Sequence, residues 1–467
     1  MASEFALLGL GEISELLRVR KISPVEVTEA CLARIEALNP ELKAYITVTA
    51  DLARAQARAA EADIQRGEWR GPLHGIPLAL KDLIDLAGVP TTAASAAFEH
   101  RIPADDAEVV RRLKAAGAVI VGKNNLHECA YGGSGVISHY GPARNPRYKG
   151  RITAGSSSGS AAAVAAGLCY ATVVTDTAGS IRLPAAYCGI VGFKPTYGLV
   201  SVRGVMPLSW SLDHIGPIAR NVTDVALVLA AIAGYDPADP TSRELPVGNY
   251  AALVRGHAPR LRVGVPRKFF YEDLDPEVAR VAEEALRVVA AIAASEREVS
   301  FPVDNDRTVA RAEAYAYHEP NLSEHSGQYD PETLRRINTG ADVSVRDYAA
   351  KLHELELLRR SAKEIFRDVD IIVTPTSPVP PPLLAELQAD IPRLRERELL
   401  MLRNTRPFNV LGVPAISLPC GETSAGLPVG LQIAGPADAD ARVLAFARLF
   451  EQAVRIGMPP PAQKGFI

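Results

Sequence analysis

Short apolar segments rich in β-branched residues recur along the chain, with helical stretches between them. AYITVTA near residue 44, IPLAL at 76, AVIVG at 118, YATVVTD at 170 and LRVGV at 261 all have strand length and strand composition. This alternation predicts an α/β fold, a large mixed β-sheet core covered by helices on both faces. Ser23-Pro24-Val25-Glu26 reads as a capping box with proline in the first turn, opening a helix that runs through CLARIEAL to Asn39-Pro40. Asp51 is placed to cap a second, alanine-rich helix. Composition shifts near residues 235–260, where AGYDPADPTSRELP has the character of a surface connection, and residues 296–360 are polar, charged and mostly helical. Strand character returns in VDIIVTPT at 369–376, then in LGVPAISLP and LPVGLQIAG.

These shifts predict one domain over residues 1–467, with N-terminal helices at about 1–65, a core at about 66–235, a variable cap-like excursion at about 236–365 and a return to the core at about 366–467. No internal repeat is present. With 48% hydrophobic and 22% charged residues, the 467-residue chain has ordinary globular usage and enough apolar material for a large core. Its 51 basic and 54 acidic residues give a net charge of -3, without the basic field that nucleic acid or anionic lipid selects. Neither nucleic acid nor membrane is therefore an expected partner. The five cysteines, Cys31, Cys129, Cys169, Cys188 and Cys420, show no metal-site or redox spacing and read as reduced, buried thiols. The first residues, MASEFALLGLGEISELL, are acidic where a secretory signal needs positive charge, and no apolar run has spanning length, so a cytoplasmic protein is expected.

The most unusual stretch is Ala154-Gly155-Ser156-Ser157-Ser158-Gly159-Ser160, leading straight into AAAVAAG. A glycine/serine turn ahead of a helix exposes backbone N–H groups suited to an anion or a developing oxyanion. It lacks the lysine and spacing of a phosphate loop, and no G-x-S-x-G elbow occurs. Downstream stands Asp176-Thr177-Ala178-Gly179-Ser180-Ile181-Arg182, followed by LPAAYCGIVGFKPTYG. Together the two turns resemble the amidase signature family. GPLHGIPLALKD, GKNNLHECAYGGSG, SLDHIGPIARNVTDVA, DVDIIVTPT and NTRPFNVLGVPAISLPCG extend the resemblance over most of the chain apart from the middle excursion.

The resemblance implies a carbon–nitrogen hydrolase with Ser180 as nucleophile, Ser156, held on a cis peptide, as bridging serine, and Lys81 as base. It assigns the oxyanion hole to the backbone N–H groups of Thr177, Ala178, Gly179 and Ser180, and supporting roles to Ser157, Asp176 and Arg182. It implies neither metal nor cofactor. The chemistry agrees with these residue types. A serine hydroxyl needs a base to become a nucleophile, and none of the nine histidines lies between residues 150 and 200. A lysine serves only if neutral, and Lys81 follows the apolar run Ile76 to Leu80, where burial would lower its pKa. A hydroxyl at Ser156 both donates and accepts, as a relay requires. Asp176 and Arg182 read as a structural ion pair, Cys188 as a packed thiol, and His127 and Glu128 as structural, since no H-E-x-x-H follows.

Two positions depart from the family's usual pattern: Ser158 and Ala178 stand where glycine is common. Alanine at 178 implies that the position does not need positive φ. It also resembles branches acting on carbamates and urea derivatives such as allophanate, which makes a carbamate substrate an alternative to a small-molecule amide. A further alternative is the glutamine-hydrolysing subunit of a tRNA-dependent amidotransferase. A catalytically silent scaffold is disfavoured because Lys81, Ser156 and Ser180 are all present. The acyl pocket is expected from the middle section and from the loop holding Tyr131, Gly132 and Gly133 through Gly135. A homodimer is kept open.

Overall fold

The expected strand IPLAL becomes Pro77–Lys81, the third position of an eleven-stranded mixed sheet in the computed structural model, which describes residues 5–245, 247–253 and 259–454. The strands are β1 (Tyr45–Val48), β2 (Pro77–Lys81), β3 (Val119–Asn124), β4 (Ala171–Asp176), β5 (Val191–Lys194) and β6 (His214–Ala219). After them come β7 (Arg262–Val265), β8 (Ser295–Glu298), β9 (Ile371–Pro375), β10 (Ala415–Glu422) and β11 (Pro428–Ala434). Their spatial order is β1-β3-β2-β4-β6-β5-β10-β11-β9-β7-β8. Residues 1–4 of the acidic N-terminus, 246 and 254–258 of the expected connection, and 455–467 of the C-terminal return lie outside the described residues.

Both sheet faces are covered, as the strand composition predicts. Along β2, Leu78 and Leu80 enter one core while Ala79 enters another. The first core receives apolar side chains from helices Leu10–Arg18, Val222–Ile232 and Asp440–Val454; the second receives Ala161 to Ala165 of helix Ser158–Ala165. The period-two geometry of a strand thus serves two apolar layers at once.

Three strands escape the sequence pattern. β5 has only four residues, and β6 carries Gly216 and Pro217, which read as turn signals although β6 pairs antiparallel with β4 over its length. β8 is the exposed edge segment SERE, parallel to β7, so its pairing leaves no hydrophobic trace. Because β7 and β8 join the main sheet, the segment 236–365 is not a continuous excursion. Its later part forms helices Thr308–His325, Pro331–Asn338 and Val345–Ile365.

Helix boundaries show two corrections. The capping box forms, with Glu26 N donating to Ser23 Oγ at 3.1 Å and Ser23 N donating to Glu26 Oε2 at 2.8 Å, but the helix continues through Pro40 to Leu42. A proline in the last turn forfeits little, and termination falls to Lys43, whose φ of 49° turns the chain left-handed. Asp51 does not cap the next helix. Thr49 is its N-cap, while Asp51 sits in the first turn, where its charge suits the helix dipole. All five cysteines are buried and unpaired. No described helix is long and apolar enough to cross a membrane.

Candidate active site

β2 runs parallel to β4, with Leu80 opposite Val173, so the C-terminal ends of the two strands lie side by side. Lys81, fully buried at the end of β2, donates from Nζ to Ser156 Oγ at 2.7 Å and to Thr175 Oγ1 at 2.8 Å. Burial lowers its pKa to about 7, against the opposing charges of Asp213 and Asp176. Both its hydrogen-bond partners are hydroxyls, so nothing in contact with the amine demands the charged form.

The Gly155–Ser156 peptide is cis. Gly155 N donates to Gly133 O at 2.8 Å, His127 N to Ser156 O at 2.9 Å, and Ser157 Oγ to Thr175 O at 3.4 Å. The turn is thus fastened on one side to the Tyr131 to Gly135 loop and on the other to β4. Ser158 opens the following helix, and its buried Oγ has no partner among the described residues.

The second turn is built on Asp176, the last residue of β4. Its carboxylate accepts from Gly179 N (2.7 Å), Ile181 N (3.0 Å), Arg182 Nε (3.1 Å), Arg182 Nη2 (3.0 Å) and Asn409 Nδ2 (2.7 Å). Burial alone would raise the Asp176 pKa; the Arg182 charge and hydrogen bonds, with Lys194 and Asn409, outweigh it and hold the carboxyl below the ordinary carboxylate range. Arg182, also buried, continues to Thr405 O (2.8 Å) and Gln432 Oε1 (2.7 Å). Asp176 and Arg182 therefore form a fully hydrogen-bonded buried pair, the arrangement under which such a pair persists.

Ser180 is 6% exposed, and its hydroxyl makes no hydrogen bond among the described residues. The Lys81–Ser156 hydrogen bond is formed, whereas no hydrogen bond joins Ser156 and Ser180 among the described residues. Among the four backbone donors expected for an oxyanion, Gly179 N–H is already committed to Asp176. Gly179 needs its φ of 140°, and a Cβ there would meet Thr405 Oγ1 at 2.1 Å. Ala178 is outside the positive-φ residues, which explains why alanine is tolerated. Its carbonyl accepts from Thr405 Oγ1 at 2.6 Å.

Thr177 Oγ1 donates to Asp213, whose other oxygen accepts from Leu208 N (2.9 Å) and Ser209 N (3.0 Å). Burial pushes Asp213 up to about 6, against these three hydrogen bonds. Tyr131, Gly132 and Gly133 border the same region: a Cβ on Gly133 would meet Leu402 Cδ1 at 2.8 Å, as one on Gly179 would meet Leu402 Cδ2 at 2.8 Å. Leu402 therefore sits between the loop and the second turn.

His127 and Glu128 diverge. His127 Nδ1 faces Ser134 Oγ (3.4 Å) and Glu398 (3.6 Å), and burial lowers its pKa to about 3, whereas Glu128 accepts from Asp330 N. Burial pushes the Cys188 thiol up, away from thiolate chemistry. His214 pairs across the ladder with Asp176, but its Nδ1 is 2.7 Å from Leu212 O and burial holds its pKa well below the histidine reference. Thr175, Asp213, Thr405, Asn409 and Gln432 were not expected at the site. Asp213, Thr405 and Asn409 lie in segments that already resemble the family, SLDHIGPIARNVTDVA and NTRPFNVLGVPAISLPCG.

The amidase family profile matches residues 26–444. The chain belongs to the amidase family. It is 42% identical over 477 residues to a glutamyl-tRNA(Gln) amidotransferase subunit of Moorella thermoacetica, covering 96% of this chain and 97% of the relative. It is 41% identical over 444 residues to an amidase of Pseudomonas putida, covering 93% and 94%. The native peptide amidase structure from Stenotrophomonas maltophilia superposes with a TM-score of 0.84 at 32% identity, covering 98% of this chain and 99% of that one. This amidase-family chain is thus a hydrolase of amide carbon–nitrogen bonds with an α/β fold of the same architecture.

Proposed function

We propose that this amidase-family enzyme cleaves a small-molecule amide through an acyl-enzyme on Ser180, with Ser156 as proton relay and Lys81 as base. The observation that carries this reading is the 2.7 Å contact between Lys81 Nζ and Ser156 Oγ in a fully buried setting. With Lys81 neutral, its lone pair accepts the Ser156 O–H while an N–H remains on Thr175 Oγ1. As Ser180 Oγ bonds to the substrate carbonyl carbon, its proton passes to Ser156 and the Ser156 proton to Lys81. Lys81, now an ammonium, returns a proton through Ser156 to the departing nitrogen as the carbon–nitrogen bond breaks. Water then hydrolyses the Ser180 ester by the same route. Oxyanion stabilisation falls to the N–H groups of Thr177, Ala178 and Ser180, with Gly179 occupied in shaping the turn. Ser157, Asp176 and Arg182 hold the two turns.

The same machinery would cleave a carbamate, and Ala178 in the T-A-G-S turn supports that second reading. The amidotransferase relative supports a third, glutamine hydrolysis in a complex, whereas the similarity to the Pseudomonas amidase supports an amidase proper. Purified chain is to be assayed alone against matched anilide, carbamate, ester and glutamine substrates, with a fluorophosphonate to label the nucleophile. The expected result is anilide or carbamate turnover and stoichiometric labelling of Ser180. Glutaminase activity that appears only with added partner proteins would favour the third reading, and labelling elsewhere would remove Ser180 as nucleophile.

A further inference from the structure

Tyr131, at the start of the Tyr131 to Gly133 loop, shares with Arg307, Arg311, Arg335, Arg336 and Arg395 the wall of a cavity of about 310 Å³. The carboxylates that reach this cluster are too few. Glu332 binds Arg335 (2.6 and 2.8 Å) and Arg336 Nε (2.8 Å), and Glu398 binds Arg336 Nη1 (2.7 Å). Arg395 comes only within 3.6 Å of Glu398 and lies over the Tyr131 ring at 5.5 Å. Arg311 spends its guanidinium on Thr339 O, and the Arg307 guanidinium has no hydrogen bond or ion pair among the described residues. Arg336 is 2% exposed, and its Nη2 is buried without a partner.

Guanidinium groups remain charged in proteins, so clustering them without counter-ions opposes folding unless a ligand supplies the missing charge. Arg307 registers this cost: burial, with the charges of Arg406 and Arg395, pushes its pKa down to about 9. Arg336 Nη1 also donates to Tyr131 O at 2.7 Å, tying the cluster to the loop that borders Ser156 and, through Leu402, Gly179.

We propose that this cavity is a substrate subsite for a carboxylate at the far end of the acyl chain, received by Arg307 and Arg395. The inference rests on the amidase reading above and narrows it to half-amides of dicarboxylic acids. A planar carboxylate matches the guanidinium fork, and the Tyr131 ring in the same cavity wall offers apolar surface to the spacer. Arg335, Arg336 and Arg311 are committed to Glu332, Glu398, Tyr131 O and Thr339 O, and they frame the cavity.

The test compares p-nitroanilides of straight-chain dicarboxylic acids, from malonyl to adipyl, with uncharged acyl anilides of equal length. For at least one length the acid should be preferred roughly tenfold or more in kcat/KM, mostly through KM. In Arg395→Gln, and separately in Arg307→Gln, that preference ratio should fall about tenfold. Uncharged anilides cleaved at least as well as acids at every length would overturn the subsite while leaving the amidase reading standing; so would a preference that survives both substitutions. If no anilide is cleaved and Ser180 takes no label, the amidase reading fails. Calorimetry with glutarate then decides the cavity separately: saturable binding weakened in Arg307→Gln supports it, and no binding to the wild type removes it.

Discussion

Thr175 Oγ1 accepts a hydrogen bond from Lys81 Nζ at 2.8 Å across neighbouring parallel strands, so the amine has a second hydroxyl partner besides Ser156. An amine with two hydroxyl neighbours and no contacting carboxylate can orient one lone pair toward Ser156. Thr175→Val removes this anchor while keeping shape. It should lower kcat by roughly tenfold without loss of melting temperature, measured by steady-state kinetics beside a thermal melt.

Lys81 at about 7 sets the sign of the pH dependence. Only the unprotonated amine accepts a proton, so kcat/KM should rise with pH through about 7 and then level off. Lys81→Ala and Lys81→Arg should each lose about a thousandfold or more, since a guanidinium does not accept the proton. An arginine variant that retains activity would show that the proton leaves by another route.

Asp213 raises the Lys81 pKa by its charge, so Asp213→Asn should move the acid limb of the pH profile downward. The same change weakens the acceptor for Thr177 Oγ1, and kcat should drop as well. A limb displaced upward would exclude the electrostatic link.

Ser156→Ala should cost about as much as Lys81→Ala, and the double variant should be barely worse than either. Additive losses in a double-mutant cycle would separate the two residues into independent functions.

Arg182→Met leaves the Asp176 carboxylate buried with its counter-ion gone and should destabilise the fold by about 3–5 kcal/mol in denaturant titration, with activity lost in parallel. Gly179→Ala should fail differently. The positive φ and the 2.1 Å approach to Thr405 Oγ1 must distort the turn, so activity should collapse with a smaller stability loss of about 1–3 kcal/mol.

The sequence by itself determined the eight strands whose apolar, β-branched composition is local, the two serine turns, and the lysine at the end of an apolar run. Strand propensity, turn chemistry and motif spacing act over a few residues, so they leave a trace in the linear chain. Only the tertiary structure decided which groups those turns meet. Lys81 and Ser156 are 75 positions apart, Lys81 and Thr175 are 94 apart, and Arg182 and Asn409 are 227 apart. No periodicity encodes such distances. The commitment of Gly179 N–H to Asp176 depends on the folded path of one turn, and edge strand β8 depends on pairing alone, since its side chains are all exposed. The arginine cavity belongs to the same class. Its members come from the Thr308–His325 helix and its N-cap, from Pro331–Asn338 and from Ile391–Met401, each a plausible solvated charge in its own segment, and they become a site only because packing turns them toward one space with too few carboxylates.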